Sequence, residues 1–167
     1  QKVKQLTKWG AQIREYEMGK LQFSMNSTVE PEKLVNYITD FEQYQKFFPK
    51  QIKEVKILDR QNSEIITEET IIFSNFLKHP FVQKSCHKLI SNKELFTEIV
   101  TGPAKGSVIK VICSKNDQGS QIKFDADLKL SLKAKFLSPF IKKLYKRYLT
   151  AIIYKITERD HEQQDSN

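Results

Sequence analysis

A chain of 167 residues is long enough for one domain with a core of its own, and 39% apolar with 29% charged residues is typical of a globular protein. No apolar run approaches the roughly 18 residues of a membrane-spanning helix, which argues against an integral helical membrane protein. The net charge of +8 favours an anionic partner such as nucleic acid, acidic lipid or an anionic small molecule, although a basic surface can also serve solubility alone.

Residues 1–19 are predicted to form an N-terminal arm or a helix, and the sequence leaves the choice open. Four apolar residues lean toward helical spacing: Val3, Leu6, Trp9 and Ile13. Gly10 and the basic residues around it suit a loose arm equally well. The same segment carries no apolar run of the kind that a secretory signal needs, so we expect a cytoplasmic protein, with peripheral membrane contact left open.

A strand and a helical segment follow this arm. Apolar and polar residues alternate over residues 21–26, which predicts a first strand. Glu30-Pro31-Glu32 then starts a helix, because proline suits the first helical position and acidic residues favour the positive end of the helix dipole. Helical spacing continues until Pro49, and residues 40–44 can break the segment into two short helices.

After Pro49 the chain is almost entirely strand-like, with polar and glycine-containing turns between the runs. The predicted strands are Ile52–Asp59, Glu64–Phe73, Val82–Ile90, Glu94–Thr101, Val108–Ser114 and Gln121–Phe136. Short connections make successive strands antiparallel neighbours. Cys86 and Cys113 fall within these strands; reduced, buried thiols are the default, and the sequence does not decide whether the two are paired.

The last predicted strand has the strongest pattern in the chain. From Ile122 to Phe136 every even position is apolar and every odd position is polar or charged. At about 3.3 Å per residue such a strand would run roughly 50 Å, and a strand of that length must curl. Its concave side would be filled by an amphipathic helix predicted from Phe140 to Thr157, which Ser138-Pro139 starts.

These elements predict an α+β protein in which a curved antiparallel sheet of about seven strands wraps around a long C-terminal helix, with two short helices after strand 1. Residues 20–158 would form the single domain. The polar residues 159–167 are predicted to be a disordered tail.

This order of elements resembles the helix-grip fold of the START and birch-pollen-allergen superfamily, also called SRPBCC. Locally, residues 29–35 and residues 40–49 resemble the helix block of its coenzyme Q-binding and polyketide cyclase-like branch, in which an Asp is followed four residues later by a Tyr, then by Phe and Pro. Thr101-Gly102-Pro103 resembles the Gly-Pro turn of that branch, and residues 137–141 open the last helix in a similar way. The resemblance covers roughly residues 20 to 157.

The resemblance implies a hydrophobic cavity between the sheet and the last helix, which would bind or carry a lipid, an isoprenoid quinone or a polyketide-like molecule. Tyr145 and Tyr148 would then offer hydroxyls to the ligand, although plain core packing also explains the apolar stripe of this helix. The residues predicted to line the cavity are Tyr44, Phe48, Phe73, Val111, Phe124, Leu128, Leu144, Tyr145, Tyr148 and Ile152.

Two further segments are candidates for surface contacts. A predicted loop with large apolar residues would either meet a membrane or partner or fold over the cavity mouth; its candidate contact residues are Phe76, Leu77 and Phe81. A basic stretch without acidic residues would dock to an anionic membrane or to RNA, or be a merely solvated face. Its members are Lys133, Lys135, Lys142, Lys143, Lys146 and Arg147.

Catalysis finds little support, and we predict no catalytic residue, no metal site and no cofactor. The histidines lack metal-ligand spacing, and His87 and its neighbour Cys86 would point to opposite faces of a strand. Three strand carboxylates could face inward, where a buried carboxylate can act as a general base: Glu68, Glu69 and Glu98.

The leading hypothesis is therefore a binding protein that encloses a hydrophobic or amphipathic small molecule by apolar burial, with a few polar groups orienting its head. One alternative is a ribosome- or RNA-associated regulatory protein acting through its basic surface, because some members of this branch resemble a ribosome-association toxin. A second alternative is an enzyme of the polyketide cyclase or aromatase type. The oligomeric state stays open.

Overall fold

The computed structural model describes residues 19–72, 79–131 and 138–166 of the chain. The strands are β1 (Lys20–Ser27), β2 (Ile52–Gln61), β3 (Glu64–Ile71), β4 (Phe81–Ser91), β5 (Glu94–Thr101), β6 (Val108–Asn116) and β7 (Gly119–Asp127). The helices are α1 (Pro31–Ile38), a 3-10 turn (Phe41–Gln43), α2 (Tyr44–Phe47) and α3 (Ser138–Asp165).

The strands form one antiparallel sheet in the order β1-β7-β6-β5-β4-β3-β2. Every pairing except β1 with β7 joins strands that follow each other in the chain, as the short turns predict. The predicted α+β architecture is confirmed: a curved seven-stranded sheet, two short helices after strand 1 and a long C-terminal helix.

The last strand is shorter than its alternating pattern predicts, because it ends at Asp127 rather than Phe136. The backbone beyond it bonds to the turn between β5 and β6: the Lys129 amide donates to Ser107 Oγ over 2.8 Å, and the Ser131 amide donates to the Pro103 carbonyl over 2.8 Å. The alternation of apolar and polar residues therefore continues in the sequence beyond the last residue of the strand. Residues 132–137 of the prediction lie outside the described residues.

Gly102 allows this turn to form. Its φ of +97° lies in the left-handed region, and a Cβ at this position would come within 2.8 Å of the Gln83 Cβ. A side chain here would therefore displace the turn that holds residues 129–131.

The C-terminal helix α3 is longer than predicted, and residues 159–165 are helical where a disordered tail was expected. The extra turns are held by a polar clasp, which we define as Lys33 and Tyr37 of α1 with Asp160 and Gln164 of α3. The Asp160 carboxylate accepts from Lys33 Nζ at 2.5 Å, from the Tyr37 hydroxyl at 3.1 Å and from Gln164 Nε2 at 2.8 Å. These bonds compensate for the free-energy cost of burying the Asp160 charge, so this polar segment is helical rather than disordered.

The hydrophobic core lies between α1, the C-terminal half of α3 and the sheet. Leu34, Ile122 and Ile156 are fully buried there, in a cluster that also contains Cys113. A second, smaller cluster joins the N-terminal half of α3 to the far end of β7 through Ile141, Tyr145, Ala126 and Leu128. Between the two clusters the helix and the sheet are not in full contact.

Both cysteines are free. Cys113 belongs to the core, whereas Cys86 is half-buried at an outward position of β4. Among the described residues, no helix is both long and apolar enough to cross a membrane.

Candidate functional site

A cavity of about 200 Å³ lies between the sheet and the N-terminal half of α3. This volume is many times what one buried water needs. From the helix, the wall is formed by Leu144, Tyr145, Tyr148, Leu149, Ile152 and Ile153. From the sheet and α2, its apolar part includes Tyr44, Val55, Leu95, Ile109, Val111 and Phe124.

The predicted lining residues divide into three groups. Those that line the cavity are Tyr44, Val111, Phe124, Leu144, Tyr145, Tyr148 and Ile152. Phe48 is buried in the core beside the cavity, 5.2 Å from the Tyr148 ring, and Leu128 packs in the second cluster, so neither lines it. Phe73 lies outside the described residues. Contact of any of these side chains with a ligand stays a prediction.

The predicted surface contacts are only partly within the described residues. Phe81 begins β4 and is half-buried, whereas Phe76 and Leu77 lie outside. In the basic stretch, Lys143, Lys146 and Arg147 are exposed on α3 and Lys142 is half-buried; Lys133 and Lys135 are outside the described ranges. No acidic residue lies between Lys142 and Arg147, so this basic face of α3 carries one sign of charge.

A polar network that the sequence did not predict borders the cavity, and it is formed by Thr67, Glu69, Ser85, His87 and Thr97. These residues lie at inward positions of β3, β4 and β5, where the register places Thr67 opposite Ser85 and His87 opposite Thr97. His87 Nε2 is 2.9 Å from Thr67 Oγ1, and His87 Nδ1 is 2.8 Å from Thr97 Oγ1. Glu69 accepts from the Thr67 hydroxyl and, over 3.0 Å, from the Ser85 hydroxyl.

The network also packs against the 3-10 turn on the concave side of the sheet. The Phe41 ring stacks on the His87 imidazole with centroids 4.0 Å apart, which fixes the plane of the imidazole. Phe41 belongs to the 3-10 turn after α1, so the short helices position a cavity side chain as well as close the end of the sheet.

Three tyrosine hydroxyls share the cavity with Glu69. Burial raises the pKa of Tyr44 and of Tyr145, and the Glu69 charge adds to both shifts. Burial also raises the pKa of Tyr148, with further contributions from Tyr44, Glu69 and Tyr145. All three phenols therefore stay protonated at pH values at which an exposed tyrosine would ionise.

The three hydroxyls differ in their hydrogen bonds. Tyr44 donates to the Ile38 carbonyl over 2.6 Å, and this bond ties α2 to the end of α1. The Tyr148 hydroxyl makes no hydrogen bond with another described residue, although its side chain lines the cavity. Tyr148 therefore retains the capacity to bond an occupant.

A parity signal in the sequence pointed to this network. Along β4, Phe81, Leu89 and the polar residues between them at odd positions share one face, while Lys84 and Lys88 share the other. The prediction that Cys86 and His87 point to opposite faces follows the same rule. Of the three strand carboxylates, Glu69 faces the cavity, Glu68 pairs with Lys84 at 3.7 Å on the outer face and Glu98 is exposed.

The arrangement suits an amphipathic occupant. Most of the wall is apolar and excludes water, while the polar network and the Tyr148 hydroxyl form one polar region within it. Among the described residues, no group of three or more His, Cys, Asp or Glu side chains is arranged to hold a metal ion.

This chain resembles known proteins in its fold and matches no model of a protein family. No protein-family model matches the chain, and no curated protein matches it. Solved structures do match. The Zhui aromatase/cyclase from Streptomyces sp. R1128 has a TM-score of 0.70 at 11% identity, over 84% of this chain and 94% of that one.

Two further structures come from other groups with this architecture. A START superfamily protein from Mycobacterium smegmatis has a TM-score of 0.66 at 20% identity, over 87% of this chain and 98% of that one. Ara h 8.0201 has a TM-score of 0.61 at 15% identity, over 82% and 96%. The chain therefore has the helix-grip fold of the START and birch-pollen-allergen superfamily. The coenzyme Q-binding branch in particular stays a prediction.

Proposed function

We propose that the protein binds a hydrophobic or amphipathic small molecule in the cavity between the sheet and α3. The apolar body of the molecule would pack against the wall formed by Val111, Phe124, Leu144 and Ile152. Burial of apolar surface would supply most of the binding free energy, at roughly 25 cal/mol per Å².

The cavity itself is the observation that carries this proposal. Protein interiors are packed about as densely as organic crystals, and a void lined by apolar atoms lowers stability because its walls lose contacts. The chain has bulky aromatic residues at the site, and yet Tyr145 and Tyr148 leave about 200 Å³ unfilled. An occupant would restore those contacts.

A cavity-filling variant tests the proposal. Wild-type protein should show saturable fluorescence enhancement with the neutral apolar probe N-phenyl-1-naphthylamine. Val111→Phe places an aromatic ring in the void and should abolish that signal while thermal unfolding stays cooperative. The matched control is Val82→Phe, which makes the same exchange at a position that is 53% exposed on β4. Equal probe binding by the two folded variants would contradict the proposal.

The class of the natural occupant can be found by native mass spectrometry. We expect a discrete added mass after incubation with a total lipid and quinone extract, and its loss in Val111→Phe. An adduct that persists in Val111→Phe would place the bound molecule outside the cavity.

Catalysis of the aromatase/cyclase type is a second candidate, favoured by Glu69 and His87 inside the cavity and by the fold shared with an enzyme of that name. Glu69 would act as the base, since both nitrogens of His87 are engaged with threonine hydroxyls. The test is incubation with a linear poly-β-ketone and chromatography of the products. Conversion that depends on Glu69 supports this function, and recovery of the unchanged ketone argues against it.

A further inference from the structure

With Glu69 ionised and His87 neutral, the direction of each hydrogen bond in the polar network follows from counting protons. Thr67 has one hydroxyl proton and donates it to Glu69, so its oxygen must accept from His87 Nε2. In the neutral imidazole Nδ1 then carries no proton and accepts from the Thr97 hydroxyl. Ser85 donates its proton to the other Glu69 oxygen. The bonds therefore run from both ends of the network toward the Glu69 carboxylate.

The network consequently has no proton left to give, but it can still accept. An ionised carboxylate offers about four lone-pair sites, and Thr67 and Ser85 occupy two of them. The Glu69 side chain lines the cavity and is 13% exposed, more than twice the 6% of His87. Its unfilled acceptor sites are thus accessible from the cavity.

The charge of Glu69 is not balanced by a strong cation. The nearest titratable base is His87, with Nε2 3.7 Å from Oε1, and no lysine or arginine among the described residues pairs with Glu69. The same charge contributes to the raised pKa values of Tyr145 and Tyr148, so its negative potential extends across the cavity to the helix. A second negative charge there would be repelled in a site with little water to screen it.

We infer that the cavity selects a molecule whose polar end donates a hydrogen bond to Glu69 and carries no negative charge: a hydroxyl, a phenol or an amine rather than a carboxylate or phosphate. This inference rests on the proposed function. The donated bond fills an accessible acceptor site of Glu69, and the unbonded hydroxyl of Tyr148 completes the contact from the helix side.

Four probes that share one ring system test the inference by calorimetry: naphthalene, 2-naphthol, 2-naphthylmethylamine and 2-naphthoate. We expect 2-naphthol to bind about tenfold more tightly than naphthalene, the factor typical of a hydrogen bond to a charged group. 2-Naphthoate should bind more weakly than naphthalene. 2-Naphthylmethylamine should likewise bind more tightly than naphthalene because it also donates to Glu69, and amine binding no tighter than that of naphthalene would count against the inference.

A matched pair of variants assigns the selectivity to Glu69. Glu69→Gln removes the charge inside the cavity, while Glu68→Gln removes the same charge one residue away on the outer face of β3. The ratio of 2-naphthol to 2-naphthoate affinity should fall about tenfold in Glu69→Gln and stay unchanged in Glu68→Gln. The wild-type ratio alone remains decisive if Glu69→Gln does not fold.

The outcomes separate this inference from the proposed function. Wild-type protein that binds 2-naphthoate as tightly as 2-naphthol would overturn the inference and leave the cavity function in place. If Glu69→Gln leaves the ratio of 2-naphthol to 2-naphthoate affinity unchanged, the inference is likewise overturned and the cavity function stays in place. If none of the four probes binds and N-phenyl-1-naphthylamine does not bind either, the proposed function fails, and the inference fails with it.

Discussion

The two halves of α3 meet the same sheet in different ways. Toward its C-terminus, Ile156 is fully buried in the core and Asp160 is neutralised by Lys33 within the polar clasp. Toward its N-terminus, Leu144 is only half-buried because it borders the cavity, and the carboxylate opposite, Glu69, has hydroxyl partners but no lysine or arginine among the described residues. The C-terminal half of the helix therefore stabilises the fold through close packing, and the N-terminal half packs less closely and leaves the cavity open.

The two buried carboxylates show the same division. Asp160 is 4% exposed and accepts from an ammonium, a phenol and an amide, so its acceptor capacity is largely used. Glu69 keeps hydrogen-bond acceptor sites that are accessible from the cavity. A carboxylate saturated by its own chain is structural, whereas one with sites left over in a cavity is available to an occupant.

The largest effect that we expect separates the two halves by stability. Ile156→Ala should lower the free energy of unfolding by about 3 kcal/mol, because a fully buried side chain is lost from a closed core. Leu144→Ala should cost about 1 kcal/mol, since part of its surface already faces a void. Urea unfolding measures both. Equal losses would contradict the claim that the halves are packed differently.

Probe affinity provides the second arm of this test. N-Phenyl-1-naphthylamine should bind folded Ile156→Ala as it binds wild type, and should bind Leu144→Ala with changed affinity, because Leu144 but not Ile156 lines the cavity.

Thiol reactivity tests whether the core end is closed. Burial raises the pKa of Cys113 to about 11, so at pH 8 this thiol is almost entirely protonated as well as inaccessible. In the folded protein the thiolate therefore forms only as pH rises toward 11, whereas unfolding exposes the thiol and returns its pKa to the ordinary value of 9.0. We expect dithionitrobenzoate at pH 8 to titrate Cys86 in the native protein and both cysteines in urea.

The half-buried Cys86 should react slowly, because burial and the nearby Glu64 raise its pKa too. The control is Cys86→Ser, which should show no native reaction. A fast native reaction in Cys86→Ser would mean that the core around Cys113 opens.

The smallest effect should come from the basic face of α3. Simultaneous Lys143→Glu, Lys146→Glu and Arg147→Glu should leave probe affinity within about twofold of wild type, because exposed charges are screened over a Debye length of about 8 Å at physiological salt. Any association with anionic vesicles or RNA should fall in the same variant and with added salt. A large loss of probe affinity would instead assign these residues to the cavity entrance.

The sequence predicted the architecture well because strand alternation and turn chemistry are local signals. β5 was predicted at its observed bounds, Glu94–Thr101. The prediction was wrong for the last strand, since alternation reports which face a side chain occupies and not whether the backbone still bonds a neighbouring strand. The last helix was predicted to end too early because Asp160 and Gln164 resemble solvent-exposed residues in the sequence. Only the fold places Lys33 and Tyr37 beside Asp160.

The site was predicted mainly on its apolar side. Val111, Phe124 and Tyr148 are at inward positions that hydrophobic periodicity identifies. Glu69 was named only as one of three carboxylates that could face inward, and His87 was given no place in the site, because an inward polar residue resembles an outward one in a pattern based on hydropathy. Their partners Thr67, Ser85 and Thr97 come from three strands, and only the register between those strands brings them together.

The order of strands also has a consequence for synthesis. β1 is made first, but its partner β7 is the last strand of the sheet to be made, whereas the strands between them pair in hairpins with their immediate successors. As the chain leaves the ribosome, the hairpins can close over short loops, and β1 has to wait for β7 and close a far longer one. β1 is therefore added to the edge of the sheet only when Asp127 has emerged, shortly before α3 is made and can cover the concave face.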